Sequence, residues 1–374
     1  MPPVSFLIKP ASSLCNMRCK YCFYDDVSKN REINSYGIMN FETLEILLEK
    51  ALSYADKRCD FAFQGGEPTL AGLDFFKKVI ELQKKYNSKN VQINNAIQTN
   101  GYAINEEFAK FFAENSFLVG LSIDGNRELH DSLRVDRSGK GTFDKVINAA
   151  KLFNKYNVEY NILCVVNNFV ARHSNQVYSF FKKNKFKYLQ FIQCLDGFDG
   201  QQKNYSLTPE RYISFLKNSF DNYYNDFISG NYTSIRLFDN YVSILAGRPA
   251  EACGMNGVCN CIFVIESDGS VYPCDFYVLD KYRLGNIRVN TFEEMCDNDI
   301  IKIFINESRF IDQKCCKCKW FYICRGGCRR CREPFIDGKP SLNMFCQSYY
   351  QFFDYAYDRM KKMATSSTYN NTCG

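Results

Sequence analysis

Val4-Ser5-Phe6-Leu7-Ile8-Lys9-Pro10-Ala11-Ser12-Ser13-Leu14-Cys15-Asn16-Met17-Arg18-Cys19-Lys20-Tyr21-Cys22 is the stretch on which the fold turns. Val4 to Ile8 is an apolar run of strand length, and a loop carrying Cys15, Cys19 and Cys22 in C-x3-C-x2-C spacing follows at once. Three thiolates this close along a loop can wrap one cubane cluster, because the turns that carry them lie within a few residues of one another. Three ligands on a four-iron cluster leave one iron open. An all-cysteine zinc site would want a fourth thiolate. Chance spacing in a cysteine-rich chain is the plain alternative.

The rest of the composition narrows the chemistry. The chain has 374 residues, 46% of them hydrophobic, which is globular and ample for a large core. Its 33 Phe and 25 Tyr read as core filling before they read as an aromatic peptide site. The net charge of +6 is spread widely, with no compact basic block, so a nucleic-acid partner has no support. Met1 to Lys9 lacks a charged segment followed by a long apolar run, and no apolar stretch reaches the roughly 18 residues of a membrane span. A cytoplasmic protein with no membrane partner is expected, where disulfides rarely persist. Nineteen cysteines then need another explanation, and His130 and His173 are the only imidazoles. Thiolate chemistry remains, iron–sulfur or cysteine-rich zinc.

Beyond the first strand, short apolar runs alternate with amphipathic ones. Strands are expected at Cys59 to Gln64, Val91 to Gln98, Phe117 to Ile123, Val158 to Val165 and Tyr188 to Gln193. Helices are expected at Phe41 to Tyr54, Leu73 to Tyr86, Ile104 to Ala113, Phe143 to Tyr156 and Ala171 to Lys182. Six strands alternating with helices argue for an α/β fold with a parallel sheet and right-handed crossovers. The alternation fits an open barrel and a doubly wound sheet equally. After Asp196, Thr208 and Pro209 open a helix to Phe227, the chain is cysteine-dense from Cys253 to Cys346, and Gln347 to Met363 reads as a closing helix. Ala364 to Gly374 read as a frayed tail.

Several strand ends point to one cavity. Gln64-Gly65-Gly66-Glu67-Pro68 closes the second strand, where the glycines permit close backbone approach and Glu67 supplies an acceptor. Asn100 follows the third strand, Ser122 and Asp124 close the fourth, and Arg134 lies in the next loop. A Ser hydroxyl and an Arg can hold a carboxylate between them. The plain alternatives are a strand-to-helix turn for Gly-Gly-Glu-Pro, a helix cap for Asp124 and a surface ion pair for Arg134. His130 reads as structural.

The cysteine loop, with Tyr21 in the aromatic position before its last cysteine, resembles the signature of radical S-adenosylmethionine (SAM) enzymes. The Gly-Gly-Glu-Pro string resembles the segment that holds the amino group of SAM in that family. The resemblance implies a partial (β/α)6 barrel with SAM on the open iron, and Ser122 and Arg134 on its carboxylate. Farther along, Cys259-x9-Gly269-x4-Cys274 and Cys315-x2-Cys318-x5-Cys324-x3-Cys328 resemble both segments of the SPASM extension of radical SAM proteins. That likeness implies two auxiliary four-iron clusters, so three [4Fe-4S] clusters with SAM. It assigns Cys253, Cys259, Cys274 and Cys328 to one auxiliary cluster and Cys315, Cys318, Cys324 and Cys346 to the other. The return of Cys328 to the first set is not readable from spacing. A structural zinc site in this segment is the alternative. Of the surplus cysteines, Cys59, Cys164 and Cys194 lie in apolar runs and read as core, Cys261, Cys296, Cys316 and Cys331 lie near or within the cysteine-dense segment, and Cys373 is in the tail. The expected domains are 1–200 for the barrel, 201–250 for a helical bridge, 251–350 for the SPASM domain, and 351–374 for the end of the helix and a tail.

Three strings carry a closer likeness: Lys9-Pro10-Ala11-Ser12-Ser13, Phe63-Gln64-Gly65-Gly66-Glu67-Pro68-Thr69 and Tyr272-Pro273-Cys274-Asp275-Phe276-Tyr277. Residues 3 to 350 are similar to the anaerobic sulfatase-maturating enzymes, which oxidise a cysteine or serine of a nascent sulfatase to Cα-formylglycine. The resemblance implies that a 5′-deoxyadenosyl radical takes a Cβ hydrogen, and that a base takes the thiol or hydroxyl proton as an electron leaves. It assigns the base to Asp275, beside Cys274. A turn-capping role is the plain reading of that aspartate. Tyr24 and Gln64 are expected to orient the substrate backbone, with Phe23 and Leu195 at the adenine; packing of the barrel mouth is the alternative. Expected partners are an unfolded or nascent sulfatase peptide, a low-potential electron donor, and an acceptor such as flavodoxin or ferredoxin, with the enzyme a monomer. One rival is a SPASM peptide maturase that makes thioether or carbon–carbon crosslinks. Such enzymes commonly carry a peptide-recognition domain ahead of the barrel, and a cluster loop beginning at Cys15 leaves no space for one. The other is a noncatalytic iron–sulfur carrier, which would need neither an open iron nor a SAM pocket.

Overall fold

Six strands lie in the sheet in the order in which they occur in the chain: β1 Val4–Ile8, β2 Arg58–Phe63, β3 Gln92–Thr99, β4 Leu118–Ser122, β5 Tyr160–Val166 and β6 Tyr188–Gln193. Each is parallel to the next. A doubly wound sheet would reverse its strand order at a switch point; here the winding never reverses, which is the order of a barrel segment. The structure, a computed structural model, describes residues 4–366.

The crossover helices form where the expected periodicity lies. Phe41–Tyr54, Leu73–Tyr86 and Phe143–Tyr156 match end to end, and the Asn40 side chain caps the first by accepting from the Thr43 amide at 2.8 Å. Their inward faces meet the sheet in a fan of phenylalanines. Phe63 and Phe76 have ring centroids 5.4 Å apart, and Phe112 and Phe117 5.3 Å. All four rings are buried, so the aromatic richness builds the core.

The sheet continues past both ends of the barrel segment. Strand β7, Ser234–Ile235, adds to β6. On the other edge β8, Phe263–Ile265, runs parallel to β1, and β9, Ser270–Tyr272, and β10, Gly285–Asn286, follow antiparallel. Phe6 of β1 stacks between Phe61 at 5.8 Å and Phe263 at 5.5 Å. The cysteine-rich segment thus covers the β1 edge and shares the barrel's core.

Several elements differ from the sequence reading. The expected helix Ala171 to Lys182 is two, Asn168–Arg172 and Ser174–Lys183. Asn167 starts the first early by accepting from the Phe169 and Val170 amides, and the His173 ring bonds the Phe169 carbonyl at 2.9 Å and ends it. Helices Phe23–Lys29, Arg127–Leu133 and Arg236–Leu245 were not anticipated. The helix after Thr208 runs Pro209–Ile228, and packs through Phe220 on Phe352 of the closing helix Cys346–Thr365. Ala364 and Thr365, expected in the frayed tail, are helical; the rest of that tail from 367 on, Cys373 included, lies outside the described residues. Among the described residues no helix is long and apolar enough to cross a membrane.

Candidate active site

Cys15, Cys19 and Cys22 occupy the loop between β1 and Phe23–Lys29, with Cys22 at the N-cap of that helix. The Met17 amide donates to Cys15 Sγ at 3.3 Å, and Asn100, from the end of β3, reaches across to Asn16 Oδ1 at 2.8 Å. Burial pushes the Cys15 thiol up to about 12, and that of Cys19 up to about 11 against the opposing pull of Arg134. Iron would have to displace those protons, as it does when thiolate ligands form.

The Gly-Gly-Glu-Pro turn is pressed against this loop. Gly66 has φ +51°, and a Cβ there would lie 2.1 Å from the Leu14 carbonyl oxygen; Gly65, with φ +111°, would meet Lys9 Cγ at 2.8 Å. Only glycine fits either position. The Glu67 amide donates to Leu14 O at 2.8 Å and locks the two loops together. The Glu67 carboxylate faces inward. It accepts from the hydroxyls of Thr69 and Thr99, each at 2.7 Å, and from the amides of Thr69 at 3.1 Å and Asn100 at 2.7 Å. Those four bonds occupy both oxygens, so in this arrangement the side chain clamps β2 to β3.

Tyr21 is drawn into the barrel end. Its hydroxyl donates to Asp124, and Arg134 Nη1 donates to it at 2.9 Å. Asp124, fully buried, also accepts from the Val165 amide at 2.9 Å, so it caps no helix. Arg134 is 6% exposed, and its Nε is buried without a partner. A buried guanidinium N–H left open beside the cysteine loop fits an anionic ligand group such as the SAM carboxylate. Ser122 is buried at the β4 end, and among the described residues no hydrogen bond joins it to Arg134. His130 is structural: its ring accepts from the Asp124 amide and pairs with Thr142.

Asp275 follows Cys274 on a single 3-10 turn, Asp275–Tyr277, and turns toward the barrel. Lys9 Nζ lies 2.5 Å from its Oδ1, and Gln64 Nε2 donates to its Oδ2 at 2.7 Å. Both partners are side chains, so the aspartate is not capping a turn. Lys9 was missed as a functional residue in the sequence. It is fully buried, with Nζ 3.7 Å from the Tyr24 ring centroid, and a buried lysine needs an anion. Tyr24 turns its hydroxyl away, onto Glu266, which also pairs with the buried Arg31 at 2.7 Å. Phe23 packs on Phe276 with centroids 4.9 Å apart, and Leu195 is half-buried just past β6.

The remaining cysteines fall into two groups. Burial, and next the charge of Cys328, raises Cys253, Cys259 and Cys274, so Cys328 faces those three. A Cβ on Gly254 would stand 3.3 Å from Cys328 Cβ. Cys315 is pushed up to about 11 by burial and then by Cys346, while Cys324 feels Cys346, Cys315 and Cys318. Among the described residues no three ligand-type side chains converge as they would on a single metal ion. The amide of the surplus Cys331 donates to the Cys328 carbonyl at 3.0 Å, and the nearby Cys331 thiol draws the Cys328 pKa down. Cys261 likewise meets Cys296, and Cys59, Cys164 and Cys194 are buried in the core.

Residues 10–174 match the model of the Radical SAM superfamily, and residues 253–319 that of an iron-sulfur cluster-binding domain, SPASM. Barrel, cysteine loop and thiol groups together define a radical SAM oxidoreductase with a SPASM extension, built on SAM and iron–sulfur chemistry. A cysteine-type anaerobic sulfatase-maturating enzyme of Clostridium perfringens is 54% identical over 98% of this chain and 100% of its own length. A serine-type anaerobic sulfatase-maturating enzyme of Bacteroides thetaiotaomicron is 33% identical over 96% of this chain and 92% of its own. The solved structure of native anSMEcpe with bound AdoMet and Cp18Cys peptide superposes with a TM-score of 0.93 at 54% identity, covering 97% of this chain and 99% of that one. The chain belongs to the anaerobic sulfatase-maturating enzymes.

Proposed function

We propose that the protein oxidises a cysteine of an unfolded or nascent sulfatase to Cα-formylglycine. The observation that carries this reading is the Asp275 carboxylate, aimed at the barrel mouth by Lys9 at 2.5 Å and Gln64 at 2.7 Å. The preference for cysteine over serine rests on the 54% identity to a cysteine-type relative against 33% to a serine-type one. When bound, SAM and the clusters supply a 5′-deoxyadenosyl radical and a route for the departing electron. Cys15, Cys19 and Cys22 would hold the first cluster, and the two groups of four thiols the auxiliary pair, three [4Fe-4S] clusters in all. Arg134, with its open Nε, is the natural partner of the SAM carboxylate, and Ser122 stands at the neighbouring strand end. Gly65 and Gly66 leave backbone free to approach the amino group, with Glu67 and Asn100 bracing that turn. Phe23 and Leu195 would flank the adenine.

Within this arrangement Asp275 takes the thiol proton of the target cysteine. Lys9 and Gln64 grip one carboxylate oxygen each and so fix which lone pairs face the substrate. Domain limits of 1–200, 201–250, 251–350 and 351–374 divide these tasks, although the sheet runs unbroken from β7 to β10. The enzyme acts as a monomer with a low-potential electron donor. Anaerobic incubation of the reconstituted enzyme with SAM, a reductant and matched cysteine and serine peptides tests the reading by mass spectrometry. The expected product is formylglycine, about 18 Da lighter than cysteine, with the serine peptide processed more slowly. A cysteine peptide that loses about 2 Da and fragments as a ring would instead mean crosslink formation.

A further inference from the structure

Two buried cations and two carboxylates share the junction of β1 with β8. Lys9 holds Asp275 at 2.5 Å. Arg31, two residues past the helix Phe23–Lys29, donates from Nη1 to Glu266 Oε1 at 2.7 Å, and neither side chain of this second pair reaches solvent. Glu266 follows β8 directly. The register that pairs Ile8 with Ile265, carried on by the Lys9 amide donating to the Ile265 carbonyl at 2.8 Å, sets Glu266 beside Lys9. Lys9 therefore has two carboxylates in its surroundings and one charge to give.

Tyr24 stands between the two pairs. Its hydroxyl donates to Glu266 Oε1, and its ring face holds Lys9 Nζ 3.7 Å from the centroid. Burial, then the Glu266 charge, keeps that hydroxyl well above its ordinary pKa, so it stays a donor. Arg31 Nη2 is fixed in turn by the Asn34 carbonyl at 2.9 Å and Ser12 Oγ at 3.3 Å, and the second Glu266 oxygen accepts from the Ser267 amide at 3.0 Å. Desolvating such a pair costs about what its attraction returns, so it adds little to stability and its contribution is geometric. With Arg31 on Glu266, the Lys9 ammonium is left to Asp275. Without Arg31, Glu266 would be a buried anion facing Lys9 across the Tyr24 ring.

We infer that Arg31 and Glu266 are positioning residues of the reaction: the Arg31 charge keeps Glu266 from drawing Lys9 off Asp275, and the anchored Tyr24 ring seats the ammonium. The inference rests on the proposed reading that Asp275 takes the substrate proton. Both residues are closed off from solvent and act through Tyr24 and Lys9, not on the reacting atoms.

The test is the ratio of 5′-deoxyadenosine to formylglycine in anaerobic turnovers of the cluster-loaded enzyme with SAM and the cysteine peptide. That ratio, unlike either yield, does not move when part of the enzyme is unfolded. R31M should raise it about tenfold, because proton removal fails after the radical has formed. R31K, which keeps the charge, should stay within about threefold of wild type. R31M/E266Q removes the competing carboxylate along with the guanidinium, so it should recover most of the coupling lost in R31M. Iron content is measured in every variant. Should R31M lose iron, R31Q, which keeps a donor toward Glu266 without the charge, decides by the same ratio. A wild-type ratio in R31M, an R31K as uncoupled as R31M, or a double variant no better coupled than R31M overturns the positioning role. D275N in the same assay separates the two claims. Normal coupling in D275N would count against Asp275 as the base, whereas an uncoupled D275N beside a coupled R31M would count against the Arg31–Glu266 role alone.

Discussion

Proton removal in the proposed reaction falls to three neighbouring side chains, Asp275, Lys9 and Gln64. Lys9 is separated from Asp275 by 266 positions, and the pairing of β1 with β8 brings them together. Replacing Lys9 with Met keeps its length and removes the charge, leaving one carboxylate oxygen without its partner. Formylglycine yield should fall about tenfold or more while 5′-deoxyadenosine formation persists, because only proton removal is touched. K9R should recover part of the yield; equal loss of both products in K9M would mean a folding defect instead. His130 gives a second test. Burial, then the nearby Arg134 charge, depresses its pKa well below the ordinary value. The folded state resists protonation that the unfolded chain accepts, so stability is intact above the unfolded pKa and declines as pH falls below it, by at most about 1.4 kcal/mol per pH unit. Anaerobic urea unfolding at several pH values, in wild type and H130N, should show a shallower acid slope in the variant; parallel slopes would remove His130 from the cause. Asp275 was singled out by the family resemblance of the string around Cys274, since its position beside a cysteine left a turn-capping role open. Lys9 was not, since a lone lysine after a strand announces nothing until its burial is known.

Elements were legible in proportion to their length and their caps. Phe41–Tyr54, Leu73–Tyr86 and Phe143–Tyr156 run fourteen residues each, long enough for the apolar stripe to recur. Phe23–Lys29 and Arg127–Leu133 have seven residues, under two full turns, and the first has no side-chain cap at Cys22. Two-residue strands such as β7 and β10 carry no pattern at all. Thr208 is the clearest capping signal, accepting from the Arg211 amide at 3.3 Å at the head of the twenty-residue helix Pro209–Ile228. T208A should cost about 1 kcal/mol, read as a lowered midpoint of anaerobic thermal unfolding with unchanged iron content. An unchanged midpoint would show that packing on Cys346–Thr365 holds the helix without its cap.

For the whole molecule, strand alternation established an α/β sheet, but the direction of winding became visible only in the strand order. The proposed return of Cys328 to Cys253, Cys259 and Cys274 likewise depends on tertiary packing that no spacing encodes. The three proposed clusters would hold about twelve iron atoms per chain, and C15A/C19A/C22A should keep about eight with an iron–sulfur absorption still present. Loss of nearly all iron in that variant would tie the auxiliary sites to the first cluster.

In the proposed reaction a carboxylate from the cysteine-rich segment completes the chemistry begun in the barrel. The most direct measurement follows formylglycine and 5′-deoxyadenosine together, in single anaerobic turnovers of wild type and D275N on the cysteine peptide. Wild type should produce both in step, and D275N should release deoxyadenosine with almost no formylglycine. Undiminished formylglycine from D275N would contradict the claim and move the base to another residue.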